Sequence, residues 1–272
     1  MPVSFDRAPL VELIAECRWG SQPIFDVAAN PQPVQLLNFA GGTKIEEFFM
    51  QLGGELYQAG FQRSERLIPS GFPLLPNQPV VRYRSNATPT SSILYQAGGG
   101  IFSVHAVPPY RSWNEFLPFV EIGINALLKS RSESDSNQPI TSLTLRYIDL
   151  FDRDLTQGLS VLRFMSEVLG ISVGIPESLV AVSQTKEPSS VNVAIVLPIE
   201  RGSISVNVAD GMAANRPGII MNTAVTAKEP LAAEIGAIVD FLKVAHDIIH
   251  GIFIKMTSPI RQAMRPRGEE NQ

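Results

Sequence analysis

Apolar and polar positions alternate in PLVELIAECRW, residues 9–19, with Ile14 the exception. Val11, Leu13, Ala15, Cys17 and Trp19 are separated by Glu12, Ile14, Glu16 and Arg18. A period of two predicts a strand with one buried face. After a connection rich in proline (Pro23, Pro31, Pro33) the period changes. In TKIEEFFMQLGGELYQAG, Ile45, Phe48, Phe49, Leu52 and Leu56 recur at helical spacing. Thr43 and Glu46 are spaced as a capping box, and Gly60 fits the position after the last turn. RSERLIPSGFPLLPNQP carries prolines 69, 73, 76 and 79 and predicts an irregular loop. VVRYRS, SSILYQA and GIFSVHAV predict three strands, the last two joined by a hairpin turn at Gly98, Gly99 and Gly100. SWNEFLPFVEIGINALLKS predicts a second helix. Ser112 and Glu115 cap it, and Phe116, Phe119, Val120, Ile124, Leu127 and Leu128 form its apolar stripe.

RSESDSNQP, 131–139, is polar and predicts a linker. Beyond it the plan repeats. SLTLRYIDLF predicts a strand, and LSVLRFMSEVLG a short helix ending at Gly170. SLVAVSQTK, VNVAIVLP, SISVNVA and PGIIMNTAV predict strands, and a long helix runs from Pro230 to about Ser258 before Pro259. GIFSVHAV and GSISVNVA occupy the same place in their halves. The expected fold is therefore α+β: two similar β-α-β-β-β-α halves, 1–130 and 140–272, each an antiparallel sheet with helices on one face.

Composition narrows the function. With 272 residues, 44% hydrophobic and 18% charged, the chain is long enough for a sizeable core. The net charge of −4 gives no basic field for nucleic acid. A single cysteine, Cys17, excludes an internal disulfide and fits a reducing cytoplasm. The N-terminus lacks the pattern of a secretory signal, and no apolar run reaches the ~18 residues of a membrane-spanning helix.

Chemistry-bearing residues are few. VAHDIIHGIF places His246 and His250 four apart with Asp247 after the first, a relative of the H-E-x-x-H zinc pattern. Against that reading, His246 lies on the stripe Val239, Leu242, His246, Ile249, Phe253 and Met256, and His105 is the one other histidine. The favoured reading is a structural His246 bonded to a carbonyl or carboxylate, a surface His250 and no metal. Asp149, Asp152 and Asp154 cluster at a strand end, where Asp is an ordinary turn former. Gly98–Gly100 lacks the Lys-Ser/Thr of a phosphate loop, no G-x-S-x-G is present, and Cys17 falls on an apolar face. The strands also carry Glu12, Glu16, Arg18, Arg82, Arg84 and Arg146. VVRYRS and LRYI both set Arg beside Tyr, a pairing suited to anion recognition, although a solvated face with cross-strand ion pairs gives the same pattern.

FDRAPLVELIAECRW, LYQAGGGIFSVHAVPPYRSWNEFLP, LRYIDLF and LKVAHDIIHGIFIKMTS, in this order, resemble a sporadically distributed bacterial family of uncharacterised proteins. The resembling positions are Phe5, Pro9, Leu10, Val11 and Glu12, Tyr110 and Trp113, Arg146 and Tyr147, and His246, Phe253 and Thr257. The resemblance implies no reaction. It implies structural roles for Glu12, Trp113 and His246, and accessory genes such as defence or toxin-linked loci. The family's commoner form has Asn where this chain has Asp149, which speaks against catalysis there.

The sequence thus predicts a non-enzymatic cytoplasmic interaction protein without a cofactor. It would bind a protein partner or its own copy through an exposed sheet face or edge, with Arg82, Arg84, Arg146 and Tyr147 as binding residues. The alternative is a binder or processor of a small anionic ligand on the same Arg and Tyr side chains.

Overall fold

The computed structural model describes residues 5–20, 42–69, 71–85, 92–109, 112–132, 137–185, 188, 190–213 and 215–267. Nine strands, β1 (Leu10–Trp19), β2 (Arg63–Arg66), β3 (Pro79–Arg84), β4 (Ile93–Gly98), β5 (Ile101–Ala106), β6 (Ile140–Phe151), β7 (Asn192–Ile199), β8 (Gly202–Ala213) and β9 (Arg216–Ala227), make one antiparallel sheet ordered β2-β3-β4-β5-β1-β6-β9-β8-β7. The helices are α1 (Gly42–Gln58), α2 (Trp113–Ser130), the short α3 (Arg153–Thr156), α4 (Val161–Glu167) and α5 (Glu177–Val182), the long α6 (Ile235–Met256) and the terminal α7 (Arg261–Met264). The α+β class follows. Outward from the neighbours β1 and β6, the order runs β1-β5-β4-β3-β2 on one side and β6-β9-β8-β7 on the other. Three short helices separate β6 from β7, where one long helix follows β1.

Two compact units divide the chain. One, here the β2 unit, comprises 14–145 and 226–245; the other, the β7 unit, comprises 1–13, 146–225 and 246–272. This division differs from the one expected at 131–139, because β1, β6, β9 and α6 each contribute residues to both units.

In the β2 unit the alternating residues Ala15, Cys17 and Trp19 are buried with Phe49, Leu52 and Leu56 of α1 and Phe116, Val120, Ile124 and Leu127 of α2. The Ser112 side chain accepts from the Glu115 N–H at 3.3 Å, as its position predicted. The Thr43 side chain lies outside the described residues, and Glu46 is engaged elsewhere: both its oxygens accept from Arg66, at 2.8 and 3.0 Å. Phe61 N–H bonds the Leu56 carbonyl past Gly60, whose φ of 94° suits the end of α1. Gly123 lets α2 approach the sheet. A Cβ there would meet Tyr95 at 2.5 Å, and Tyr95 in turn stacks on Phe102 with centroids 5.9 Å apart. The hairpin between β4 and β5 turns through Gly99 and Gly100, the latter with φ of 81°. The start of the expected linker is anchored: Arg131 is buried, lies 5.6 Å over the Trp19 ring and donates to the Gln138 carbonyl.

The core of the β7 unit gathers Phe5, Phe151, Leu155, Phe164, Met165, Val208, Ile219, Met221 and Met264. Two local expectations fail here and in β2. Residues 178–185, the described part of SLVAVSQTK, do not form a strand. Glu177–Val182 is α5, opened by Pro176 and the acid Glu177, both favourable at a helix start, and none of its residues is buried. RSER, expected within a loop, is strand β2, paired with β3 from Arg63↔Arg84 to Arg66↔Val81. Its apolar alternation is missing because all four residues face water.

Candidate functional site

β7 and β8 form a hairpin closed by Glu200 and Arg201, with register from Ile199↔Gly202 to Asn192↔Ala209. In a two-residue hairpin the flanking pair is hydrogen-bonded. Val193, Ile195, Leu197 and Ile199 therefore turn their backbone groups to β8, while Asn192, Ala194, Val196 and Pro198 turn theirs away from the sheet. Pro198 agrees with this phase, since its missing N–H costs nothing on the outer side. β7 ends the strand order, and nothing in NVAIVLPI is charged. Val193 packs against the core cluster, whereas Val196 is 66% and Leu197 56% exposed. Asp210 holds the entrance of the strand, accepting from the Val191 N–H at 2.8 Å, and Asn207 donates to Asn192 at 3.1 Å. In the same unit α5 exposes Leu179 and Val182.

The opposite edge, β2, is built differently. Its four residues include Arg63, Glu65 and Arg66. Arg66 is tied to Glu46, and Glu65 accepts from Arg82 at 3.3 Å.

The sequence-nominated side chains are dispersed. Arg82 and Arg84 are half-buried on β3 of the β2 unit; Arg146 and Tyr147 belong to the β7 unit. Neighbours on a strand point to opposite faces, so neither tyrosine joins its arginine. Tyr83 is buried and donates to the Phe49 carbonyl at 2.8 Å. The Tyr147 hydroxyl shares a 2.7 Å hydrogen bond with His246 Nδ1. The partner shown for His246 of α6 is thus a hydroxyl, where the sequence suggested a carbonyl or carboxylate. His250 stacks on it, with centroids 5.5 Å apart, and is half-buried rather than fully at the surface. Burial, then the neighbouring His250, pushes His246 down to about 4, although Asp247 pulls the other way. Trp113 opens α2 and packs on Phe116, and Glu12 is half-buried on β1. Tyr110 lies outside the described residues.

The three aspartates separate by role. Asp152 caps α3 through the Leu155 N–H at 3.2 Å and pairs with Arg216; Asp154 pairs with Arg7. Asp149 is buried, and burial lifts its carboxyl to about 7. One pair that sequence reading passed over is Ser103 and His105, two apart on β5, with Oγ and Nε2 at 2.8 Å. The i, i+2 spacing was its signal. Both residues are buried, which denies a substrate access. Cys17 is buried too, and burial pushes its thiol up, away from the reactive thiolate. A cavity of about 420 Å³ lies in the β7 unit among Arg153, Ser160, Ser190, Asp210 and Gly218. It holds no histidine or cysteine. Among the described residues no cluster of three or more His, Cys, Asp or Glu is arranged to hold a metal ion, and no helix is long and apolar enough to cross a membrane. No protein-family model, curated protein or solved structure matches the chain.

Proposed function

We propose that the chain is a non-enzymatic interaction protein that docks an extended strand, from a protein partner or from its own copy, on the β7 edge. The observation that carries this reading is β7 itself: eight uncharged residues at the end of the sheet, with Val196 and Leu197 exposed. Such an edge presents a row of N–H and C=O groups that a second strand can pair, and an apolar side-chain row that gains from cover. The engagement of Arg82 with Glu65 and of Tyr147 with His246 weighs against the reading in which these residues receive an anion. The buried single Cys17 supports a cytoplasmic setting. The matching strand order on the two sides of β1 and β6 supports an origin of the two halves as a repeat.

The test compares the full chain with Ala194→Pro, which removes one outward N–H and no bond to β8. In light scattering and in pull-down from the native host, association is expected to weaken in Ala194→Pro and to be retained when Arg82, Arg84 and Arg146 are charge-reversed. The opposite pattern would favour the arginine-bearing sheet face. Turnover of a small molecule by a strict monomer would refute the class.

A further inference from the structure

Resting on that reading, we infer that the strand received by β7 is the β7 of a second copy, paired antiparallel about a two-fold axis through Ile195. A two-fold axis perpendicular to the sheet keeps opposed residues on one face, so the register must centre on a residue rather than between two. Of the outward-turned groups, Asn192, Ala194 and Val196 offer N–H, and Pro198 offers a carbonyl alone. Centred on Ile195, the Ala194 and Val196 groups of the two copies satisfy each other in both directions. Each Asn192 N–H meets the Pro198 carbonyl of the other copy. The proline then falls at each end of the ladder, where the Asn192 carbonyl it cannot serve reaches water. Pro198 stops the pairing at the strand's own length.

The side chains obey the same symmetry. Val193 opposes Leu197 of the copy, Ile195 opposes its own equivalent and Ala194 opposes Val196. The exposed large hydrophobics Val196 and Leu197 both gain apolar cross-strand neighbours. The absence of charge on β7 matters because the chain carries −4 overall: the copies meet where they do not repel. A partner selected by charge would find nothing on this strand to read. An eight-residue ladder is smaller than the roughly 1,200–2,000 Å² of a standard interface, so the expected dimer is weak and reversible in the micromolar range.

Sedimentation of the full chain across the micromolar range, with three variants, tests this. Wild type should pass from monomer to dimer, and Ala194→Pro should weaken the dimer about tenfold through the lost hydrogen bonds, with unchanged circular dichroism. Should Ala194→Pro fail to fold, oxidation supplies an independent reading. Residues at a non-hydrogen-bonded centre lie ~4.5 Å apart between Cα atoms, within disulfide reach. Ile195→Cys should therefore give a covalent dimer, and Leu197→Cys, opposed to Val193, should not; Cys17 is buried and takes no part. A wild type that stays monomeric, or cross-linking by Leu197→Cys in place of Ile195→Cys, overturns the symmetric pairing. A monomer that nevertheless binds a synthetic peptide of residues 191–199, with loss in Ala194→Pro, overturns the second copy and leaves edge docking standing. A monomer that binds no strand overturns both.

Discussion

β2 and β7 close the same sheet and solve the same physical problem in opposite ways. Every edge strand leaves a row of backbone groups without a neighbouring strand, and most proteins blunt such edges with brevity and charge. β2 does both: four residues, RSER, with Arg66 drawn onto Glu46 and Glu65 onto Arg82. β7 does neither. It is twice as long and uncharged, and its exposed positions include the large hydrophobics Val196 and Leu197. One chain thus contains both a defended edge and an undefended one, and the undefended one is where an interaction surface is expected.

The comparison breaks most severely if the support under β7 is removed. Phe164 is fully buried in the cluster against which Val193 packs. Phe164→Ala should cost about 3–5 kcal/mol. In denaturant titrations followed by hydrogen exchange, protection should fall in β7 and β8 before it falls in β2 and β3. Uniform loss across the sheet would mean that the two edges share one support.

Acid titration sharpens the comparison next, because the displaced groups that titrate between pH 4 and 7 lie in the β7 unit. Burial raises Asp149 to about 7, so between the ordinary carboxyl pKa and 7 the folded state keeps a proton that the unfolded state has lost, and stability falls as pH rises. His246 runs the other way. Lowered to about 4, it stays neutral while its unfolded counterpart charges, so stability falls as pH drops below 6.5, and burial lowers the stacked His250 in the same direction. The two trends oppose each other over most of this window. Asp149→Asn should raise stability at pH 7 and expose the histidine's acid loss as a slope between pH 6.5 and 4. A variant as flat as wild type in that window would contradict the assignment. In the β2 unit the displaced groups are Cys17, Arg66, Tyr83 and Tyr95, all pushed up and out of this range.

Converting one edge into the other gives a smaller effect on stability but a visible one on association. Arg63→Val with Glu65→Val should leave the fold intact and make β2 a second association surface, seen as concentration-dependent scattering that Ala194→Pro does not abolish. Smallest of all, Arg66→Ala removes a largely exposed ion pair with Glu46 and should cost at most ~1 kcal/mol in thermal unfolding.

Much of the fold was legible because local signals and burial agreed. The alternation of Val11 to Trp19, the cap at Ser112 and the glycine turn at 99–100 each depend on near neighbours. The misses were those in which distant context decided. RSER has no apolar period because its strand pairing comes from β3, and its charges are the defence of an edge. SLVAVSQTK has strand composition, yet the helix start at Pro176 and Glu177 prevails over Glu177–Val182. That VNVAIVLP is a strand could be read; that it is the last strand of the sheet could not, because rank in a sheet is set by every other strand. His246 is half-buried on α6, and Tyr147, which shares a hydrogen bond with it, is 99 residues away, beyond any local signal. The Arg–Tyr dipeptides do not act as pairs, because adjacent residues on a regular strand point to opposite faces.

The most direct test is amide hydrogen exchange along β7, read residue by residue at low and high chain concentration. The account predicts an alternation. Val193, Ile195 and Leu197 should be protected at all concentrations by their bonds to β8. Asn192, Ala194 and Val196 should exchange freely in dilute solution and become protected as the chain associates, with β2 unchanged. Outward amides that stay unprotected while the chain associates, or new protection at β2 instead, would contradict it.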